Sequence, residues 1–121
     1  MALKILVVDD ALFMRKMLRG ILEEDGHEVI AEAASGVEAF EQYQKCHPDL
    51  TVMDIVMPDK NGIEALRDIM DYHAEAVVVM CSAVGQEALV REAATTGAKD
   101  FILKPFDPEL VKTVIRKVAG L

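Results

Sequence analysis

The chain is poor in aromatic residues and contains no tryptophan. Aromatic side chains make up 5% of the 121 residues, whereas 52% of the residues are hydrophobic. The core must therefore be built from aliphatic side chains and methionine, which usually fill sheets covered by helices. A chain of this length buries about two-thirds of its unfolded surface in one core. We expect a single folded domain over residues 1–121.

Positive charge is also scarce, because 13 lysine and arginine residues face 21 acidic residues, for a net charge of −8. This balance argues against nucleic acid or an anionic membrane surface as a direct partner, since both need a cationic face. Long hydrophobic runs are missing too. The longest apolar run, 76–81, is too short to span a bilayer, and no N-terminal signal segment is recognisable. We expect a cytoplasmic protein without a membrane partner.

Cysteine is nearly absent. Cys46 and Cys81 are the two cysteines, and they lack the spacing of a redox or zinc motif. In a cytosolic protein, such residues are expected to be free thiols rather than a disulfide.

Short apolar runs alternate with longer amphipathic stretches along the chain. The runs are mostly unalternating, which is typical of parallel strands buried on both faces. They predict five strands, at 4–8, 29–33, 50–53, 76–81 and 101–103. The amphipathic stretches have helical spacing and predict five helices, at 12–24, 37–45, 63–72, 87–96 and 109–119.

Alternating strands and helices indicate an open parallel sheet, because each crossover is right-handed and places a helix on one face. The predicted fold class is α/β, a flavodoxin-like (βα)5 sandwich with helices on both faces of a five-stranded sheet. The strand order 2-1-3-4-5 is taken over from known folds of this type. Ligands of such sheets collect outside the carboxyl ends of the strands, where the strand order reverses.

Asp54 lies in a core-like apolar run without a neighbour of opposite charge. Burying an unpaired carboxylate costs several kcal/mol, so a partner is expected from elsewhere in the fold. Asp9 and Asp10 follow the first predicted strand, Ser82 follows the fourth, and Lys104 follows the fifth. These side chains are therefore expected to meet at one edge of the sheet.

Three carboxylates at close range repel one another, and one takes up a proton unless a cation intervenes. Mg²⁺ suits this site, because one or two carboxylates commonly hold it together with water and phosphate oxygens. With Mg²⁺ and Lys104 present, the site would attract phosphate. Asp54 could then attack phosphorus and form an acyl phosphate, while Ser82 offers its hydroxyl to the same oxygens.

Four motifs resemble the receiver domains of two-component response regulators. They are Val8-Asp9-Asp10, Asp54-Ile55-Val56-Met57-Pro58 followed by Gly62, Ser82-Ala83 and Lys104-Pro105-Phe106. The motifs occur in family order and at family spacing over essentially the whole chain, so their combination is specific although each alone is weak. Segments 11–15, 81–86 and 98–101 look most like the single-domain chemotaxis regulators of that family.

The resemblance assigns a role to each residue at the phosphorylation site. It implies that Asp54 is the phosphoacceptor and that Asp10 and Asp54 bind Mg²⁺ directly. Asp9 would assist through water, and the backbone carbonyl of Val56 would be the remaining protein ligand. Lys104 would pair with the phosphate and precede a cis peptide bond to the following proline.

The resemblance also implies a switch formed by Ser82 and the aromatic residue at position 101. The change would be read on the face made by the fourth helix, the fifth strand and the fifth helix. Phe101 stands where many members have tyrosine, so we expect packing rather than a hydroxyl hydrogen bond to drive its rotation. Val56 and Val84 stand where polar residues can position an attacking water. Self-dephosphorylation is therefore expected to be slow.

The implied function is that of a stand-alone response regulator rather than an enzyme acting on an external substrate. It would accept a phosphoryl group from a sensor histidine kinase and change its affinity for a target protein. In the chemotaxis case, the partners would be a chemotaxis kinase and the flagellar motor switch, and the resemblance also allows a phosphatase. Since no residues remain for a DNA-binding module, output is expected through protein contact.

Other functions remain open. The chain could serve another phosphorelay, or be a receiver-shaped binding module that is never phosphorylated. A phosphatase of the haloacid dehalogenase type needs a D-x-D pattern, and an FMN carrier needs a loop rich in glycine and hydroxyl groups. The segment 9–13 matches neither. His27, His47 and His73 precede predicted strands at the opposite edge, so they are poor candidates for phosphoryl transfer or metal binding.

Overall fold

Strands and helices alternate along the whole described chain. The computed structural model describes residues 2–120. Its elements are β1 (Lys4–Val8), α1 (Leu12–Glu24), β2 (Glu28–Ala33), α2 (Gly36–Cys46), β3 (Leu50–Asp54), α3 (Gly62–Tyr72), β4 (Val78–Ser82), α4 (Glu87–Thr96), β5 (Asp100–Leu103) and α5 (Pro108–Ala119). The prediction of five strands and five helices is confirmed.

The fourth strand is where the predicted boundaries differ most. It was expected at 76–81 and lies at Val78–Ser82. Ala76 is buried, but its amide donates to the carbonyl of His73 in a turn. The apolar run therefore begins before the strand does, because a turn residue can be buried without joining the sheet. At the other end, Ser82 is part of the strand rather than the residue after it.

The sheet is parallel throughout, with the strand order β2-β1-β3-β4-β5. This confirms the flavodoxin-like prediction. β1 lies between β2 and β3, so the order reverses between β1 and β3. The register pairs Val8 with Met53, which brings the residues that follow them to the same edge.

The core has one layer on each face of the sheet. The layer under α2, α3 and α4 includes Leu6, Tyr43, Met53, Leu66, Ile69 and Met80. The layer under α1 and α5 includes Ile5, Val7, Leu18, Leu22, Val52 and Ile115. Successive strand residues alternate between the two layers, since strand side chains have a period of two. Both faces are apolar, which explains the unalternating runs in the sequence.

Helix ends follow the expected signals. Gly97 ends α4 with a φ of 133°, a conformation that other residues rarely adopt. Pro108 is the first residue of α5, after the Asp107 cap. Asn61 and Glu64 form a capping box at the start of α3. These ends define the loops that carry the site. Among residues 2–120, none of the helices has the length and apolarity needed to cross a membrane.

The three histidines lie where strands begin, as predicted. His27 precedes β2 and its Nδ1 accepts a hydrogen bond from the Leu3 amide at 3.1 Å. His47 and His73 are the C-caps of α2 and α3. The hydroxyl of buried Tyr43 and Nδ1 of His73 share a 2.8 Å hydrogen bond. These contacts anchor the edge of the sheet opposite the acidic residues.

Candidate functional site

Three carboxylates lie together at the carboxyl end of the sheet. One oxygen from each of Asp9, Asp10 and Asp54 lies within 4.8 Å of the other two. Asp9 and Asp54 are buried, with 1% and 8% of their surface exposed, whereas Asp10 is exposed. The neighbouring positions of β1 and β3 bring them together, as the sequence predicts.

Lys104 is the partner that buried Asp54 requires. Its Nζ lies 2.8 Å from Oδ2 of Asp9 and 3.1 Å from Oδ2 of Asp54. The lysine is held in place by its own amide, which donates to the carbonyl of Ser82 at 2.7 Å. The peptide bond to Pro105 is cis, as the resemblance implies. One ammonium group thus bridges two buried carboxylates.

Lys104 supplies one positive charge beside three carboxylates. Burial raises the pKa of Asp54 above its ordinary value, and Lys104 only partly opposes this. Burial alone would lower the pKa of Lys104, but its hydrogen bond to Asp9 and the charge of Asp54 outweigh that effect and raise it. The lysine is therefore firmly protonated, while Asp54 ionises less readily than a solvated aspartate. The cluster still has an excess of negative charge.

The donor set suits a hard divalent cation. The three carboxylates offer oxygen ligands of the type that Mg²⁺ prefers. Both oxygens of Asp9 already accept hydrogen bonds, Oδ1 from the Ala11 amide at 2.9 Å and Oδ2 from Lys104. This fits the indirect role expected for Asp9. The N-cap position of α1 is Ala11, so neither Asp9 nor Asp10 serves as its capping residue.

The other predicted residues lie at different depths in the structure. Ser82 is buried at the end of β4, next to β3 in the sheet. Phe101 is half-buried and packs against the core layer under α2, α3 and α4. Val56 and Val84 are 49% and 83% exposed beside the site. Ser82 thus lies at the carboxyl end of its strand, whereas Phe101 lies deeper, beside Met80 in the register of β4 and β5.

Arg15 is a neighbour of the site whose contacts the sequence did not predict. Its guanidinium donates to the backbone carbonyl of Asp9 at 2.6 Å and to Glu32 on β2 at 2.9 Å. Arg19 also pairs with Glu32. The pairing depends on β2 lying beside β1, which helical spacing alone does not reveal.

Gly62 is in close contact with the backbone of Asp54. A Cβ at residue 62 would overlap the carbonyl oxygen of Asp54 and lie 2.9 Å from Cα of Ile55. The Gly62 amide donates to the Ile55 carbonyl at 2.7 Å. The motif glycine is therefore explained by close packing of the backbone, since its φ is not positive.

The model of the response regulator receiver domain matches residues 5–116 of the chain. The chain belongs to this family. Two proteins of Bacillus subtilis, the chemotaxis protein CheY and the protein CcdB, are each 50% identical to this receiver over 117 residues. Each match covers 97% of this chain and 98% of the relative.

A solved structure has the same receiver fold. It is the complex of CheX, CheY, BeF3 and Mg²⁺ from Borrelia burgdorferi, with a TM-score of 0.92 and 38% identity. The match covers 96% of this chain and 88% of that one. Members of this family are signalling modules. The match therefore does not support the phosphatase and FMN-carrier alternatives.

Proposed function

We propose that this protein is a stand-alone response regulator that accepts a phosphoryl group on Asp54 from the phosphohistidine of a sensor kinase. The observation that carries this proposal is the bridge made by Lys104 between buried Asp9 and Asp54, with Asp10 within 4.8 Å. Such a bridge holds a carboxylate at the rim of the sheet beside a fixed cation. It presents an oxygen nucleophile and a positive group to the same incoming phosphate.

In the proposed reaction, a carboxylate oxygen of Asp54 attacks phosphorus. The new P–O bond forms as the P–N bond to the kinase histidine breaks, and the bonding electron pair stays on the imidazole nitrogen. Lys104 then turns its ammonium toward the phosphoryl oxygens while remaining near Asp9. Return to the resting state requires water to attack phosphorus and break the P–O bond to Asp54.

Asp10, Asp54 and the Val56 carbonyl would hold Mg²⁺ directly, and Asp9 would support it through water. When bound, the metal ion supplies positive charge that lowers repulsion between the carboxylates and the phosphate. The raised pKa of Asp54 is consistent with a site designed for more positive charge than Lys104 provides. The presence of Mg²⁺ in the complex of the Borrelia relative supports the same choice of metal.

The output surface proposed here is the face formed by α4, β5 and α5. A cavity of about 290 Å³ lies on it, bounded by Phe101, Leu103 and Leu110 among others. Leu103 and Leu110 are 56% and 62% exposed. Phosphorylation would draw Ser82 toward the phosphate and let Phe101 move inward by packing alone. The altered apolar face would then bind or release a target protein.

The chemotaxis system is the favoured setting. The similarity to CheY over nearly the full length of both chains supports a chemotaxis kinase as donor and the flagellar motor switch as target, in the cytoplasm. A second setting is another phosphorelay, since CcdB is equally identical to this chain and is not named as a chemotaxis protein. Phosphotransfer from each class of kinase, compared at equal concentrations, distinguishes the two. Binding of the phosphorylated protein to the motor switch protein tests the first directly.

Mass measurement after incubation with Mg²⁺ and acetyl phosphate tests the phosphoacceptor. We expect one added phosphoryl group that is absent in Asp54→Asn and in samples with excess chelator. No uptake by the wild-type protein would favour a binding module that is never phosphorylated. The exposed valines at positions 56 and 84 predict slow loss of the group. Rapid loss without a phosphatase would contradict that part of the proposal.

A further inference from the structure

The loop that joins β3 to α3 is held by contacts at both ends. At its start, the Ile55 amide donates to the Cys81 carbonyl at 3.1 Å. Near its end, Gly62 packs against the backbone of Asp54. Val56 lies between these anchors, and its carbonyl is the proposed backbone ligand of Mg²⁺. The position of that carbonyl therefore depends on how the rest of the loop is held.

Gly36, the first residue of α2, provides a third contact, and it comes from a different part of the chain. A Cβ at position 36 would overlap the carbonyl oxygen of Lys60 and lie 2.7 Å from its carbonyl carbon. Gly36 is buried, and its φ is not positive. Its missing side chain therefore serves close approach of the loop backbone rather than an unusual conformation.

Asp59 adds a polar contact at the same point. Its Oδ1 accepts a hydrogen bond from the Gly36 amide at 3.2 Å, at the N-terminus of α2. Its pKa is lowered, first by the Lys60 amide and then by the Gly36 amide and the Ser35 hydroxyl. The side chain of Lys60 pairs with Asp68 on α3. The loop is thus attached to α2 through Gly36 and to α3 through Asp68.

We infer that Gly36 is a positioning residue for the Mg²⁺ site, because it seats the Asp59–Lys60 segment and thereby sets the path of the loop that carries Val56. This inference rests on the proposed function, since it assigns a second layer to the same metal site. A methyl group at position 36 displaces the Lys60 carbonyl outward. Because the loop is short and anchored at Ile55 and Gly62, the displacement is passed on to the segment between them.

The experiment measures Mg²⁺ affinity by calorimetry, together with the melting temperature without metal. We expect Gly36→Ala to raise the Mg²⁺ Kd by at least tenfold. Gly20→Ala is the matched control, because a Cβ at that helical position meets nothing within 4 Å. We expect its Kd to stay within twofold of wild type. A purely structural role for Gly36 would lower the melting temperature and leave the Kd unchanged, and that result would overturn the inference.

A second pair of variants keeps the test decisive if Gly36→Ala does not fold. Asp59→Ala removes the acceptor for the Gly36 amide, whereas Asp59→Asn removes the same charge and keeps an oxygen acceptor. We expect Asp59→Ala to weaken Mg²⁺ binding several-fold relative to Asp59→Asn. Equal affinities would overturn the inference. If the wild-type protein itself binds no Mg²⁺, the proposed function and this inference both fall, whereas wild-type binding with unchanged variants refutes only the positioning role.

Discussion

Asp54→Asn is expected to stabilise the protein when no divalent cation is present. At an effective dielectric constant of about 20, a like charge within 4.8 Å costs at least about 3.5 kcal/mol. Asp9 contributes that amount, and exposed Asp10 contributes about half of it or less because of solvent screening. The Lys104 ammonium, 3.1 Å from Asp54, contributes about 5 kcal/mol of attraction at the same dielectric constant. Attraction and repulsion nearly cancel, so the cost of burying the Asp54 charge remains.

We therefore expect Asp54→Asn to raise the free energy of unfolding by about 1–2 kcal/mol at pH 7 in chelator. For 121 residues this corresponds to a rise of about 4–8 °C in the melting temperature. Lys104 keeps Asp9 as a partner, so the substitution leaves no unpaired lysine. Glu41→Gln is the matched control, because Glu41 is an exposed residue of α2. We expect it to change the free energy of unfolding by less than about 0.5 kcal/mol.

The dependence on pH tests the assigned cause. The pKa of Asp54 is higher in the folded than in the unfolded protein. Its contribution to wild-type stability is therefore fully present below the unfolded pKa, and it is lost as the pH rises through the folded pKa. The advantage of the variant should therefore shrink as pH falls below about 4. Mg²⁺ should reverse the order at neutral pH by stabilising only the wild type, by about 2.7 kcal/mol at a hundredfold excess over Kd. A variant that is less stable than wild type in chelator at pH 7 would refute the reasoning.

Three further substitutions test other contacts by thermal or denaturant unfolding. Lys104→Met should lower the free energy of unfolding by about 3–5 kcal/mol without metal, because it leaves buried Asp9 unpaired. We expect a smaller loss of stability when Mg²⁺ is present. No loss of stability in chelator would contradict the bridge. Glu32→Gln should cost about 1 kcal/mol at pH 7. Burial tends to raise the pKa of Glu32, but hydrogen bonds from two arginines outweigh this and lower it. The stability difference between wild type and Glu32→Gln should therefore vanish as the pH falls below about 4. A difference that stays constant with pH would exclude the ion pair as its cause. Tyr43→Phe should cost about 1 kcal/mol by removing the hydrogen bond to His73, and an unchanged unfolding midpoint would mean that this bond adds no net stability.

The excess negative charge at the sheet edge links stability to signalling. Two buried carboxylates share one lysine, and a third carboxylate stands beside them. An arrangement tuned for stability alone would pair each buried charge. Here the charge imbalance lies where a cation and a phosphate are proposed to bind.

Local patterns in the sequence predicted the elements and the meeting of Asp9, Asp10, Asp54 and Lys104 at one end of the sheet. Strands buried on both faces need unbroken apolar runs, and helices on a sheet need one apolar stripe, so the alternation of the two predicts the α/β class. Asp54 was conspicuous because an isolated charge in an apolar run requires a distant partner. Lys104 could be proposed as that partner because Asp54 ends one strand and Lys104 directly follows another.

Tertiary structure decided which groups touch. The bridge from Lys104 to both Asp9 and Asp54 depends on β3 lying between β1 and β4, which periodicity does not encode. The contacts of Arg15 with Glu32 and of Gly36 with Lys60 likewise join segments that are remote in sequence. Local composition determines what each segment can form, whereas the packing of segments determines their distances. Where two backbones pack closely, the sequence shows only a glycine. The glycine by itself does not indicate which segment it contacts.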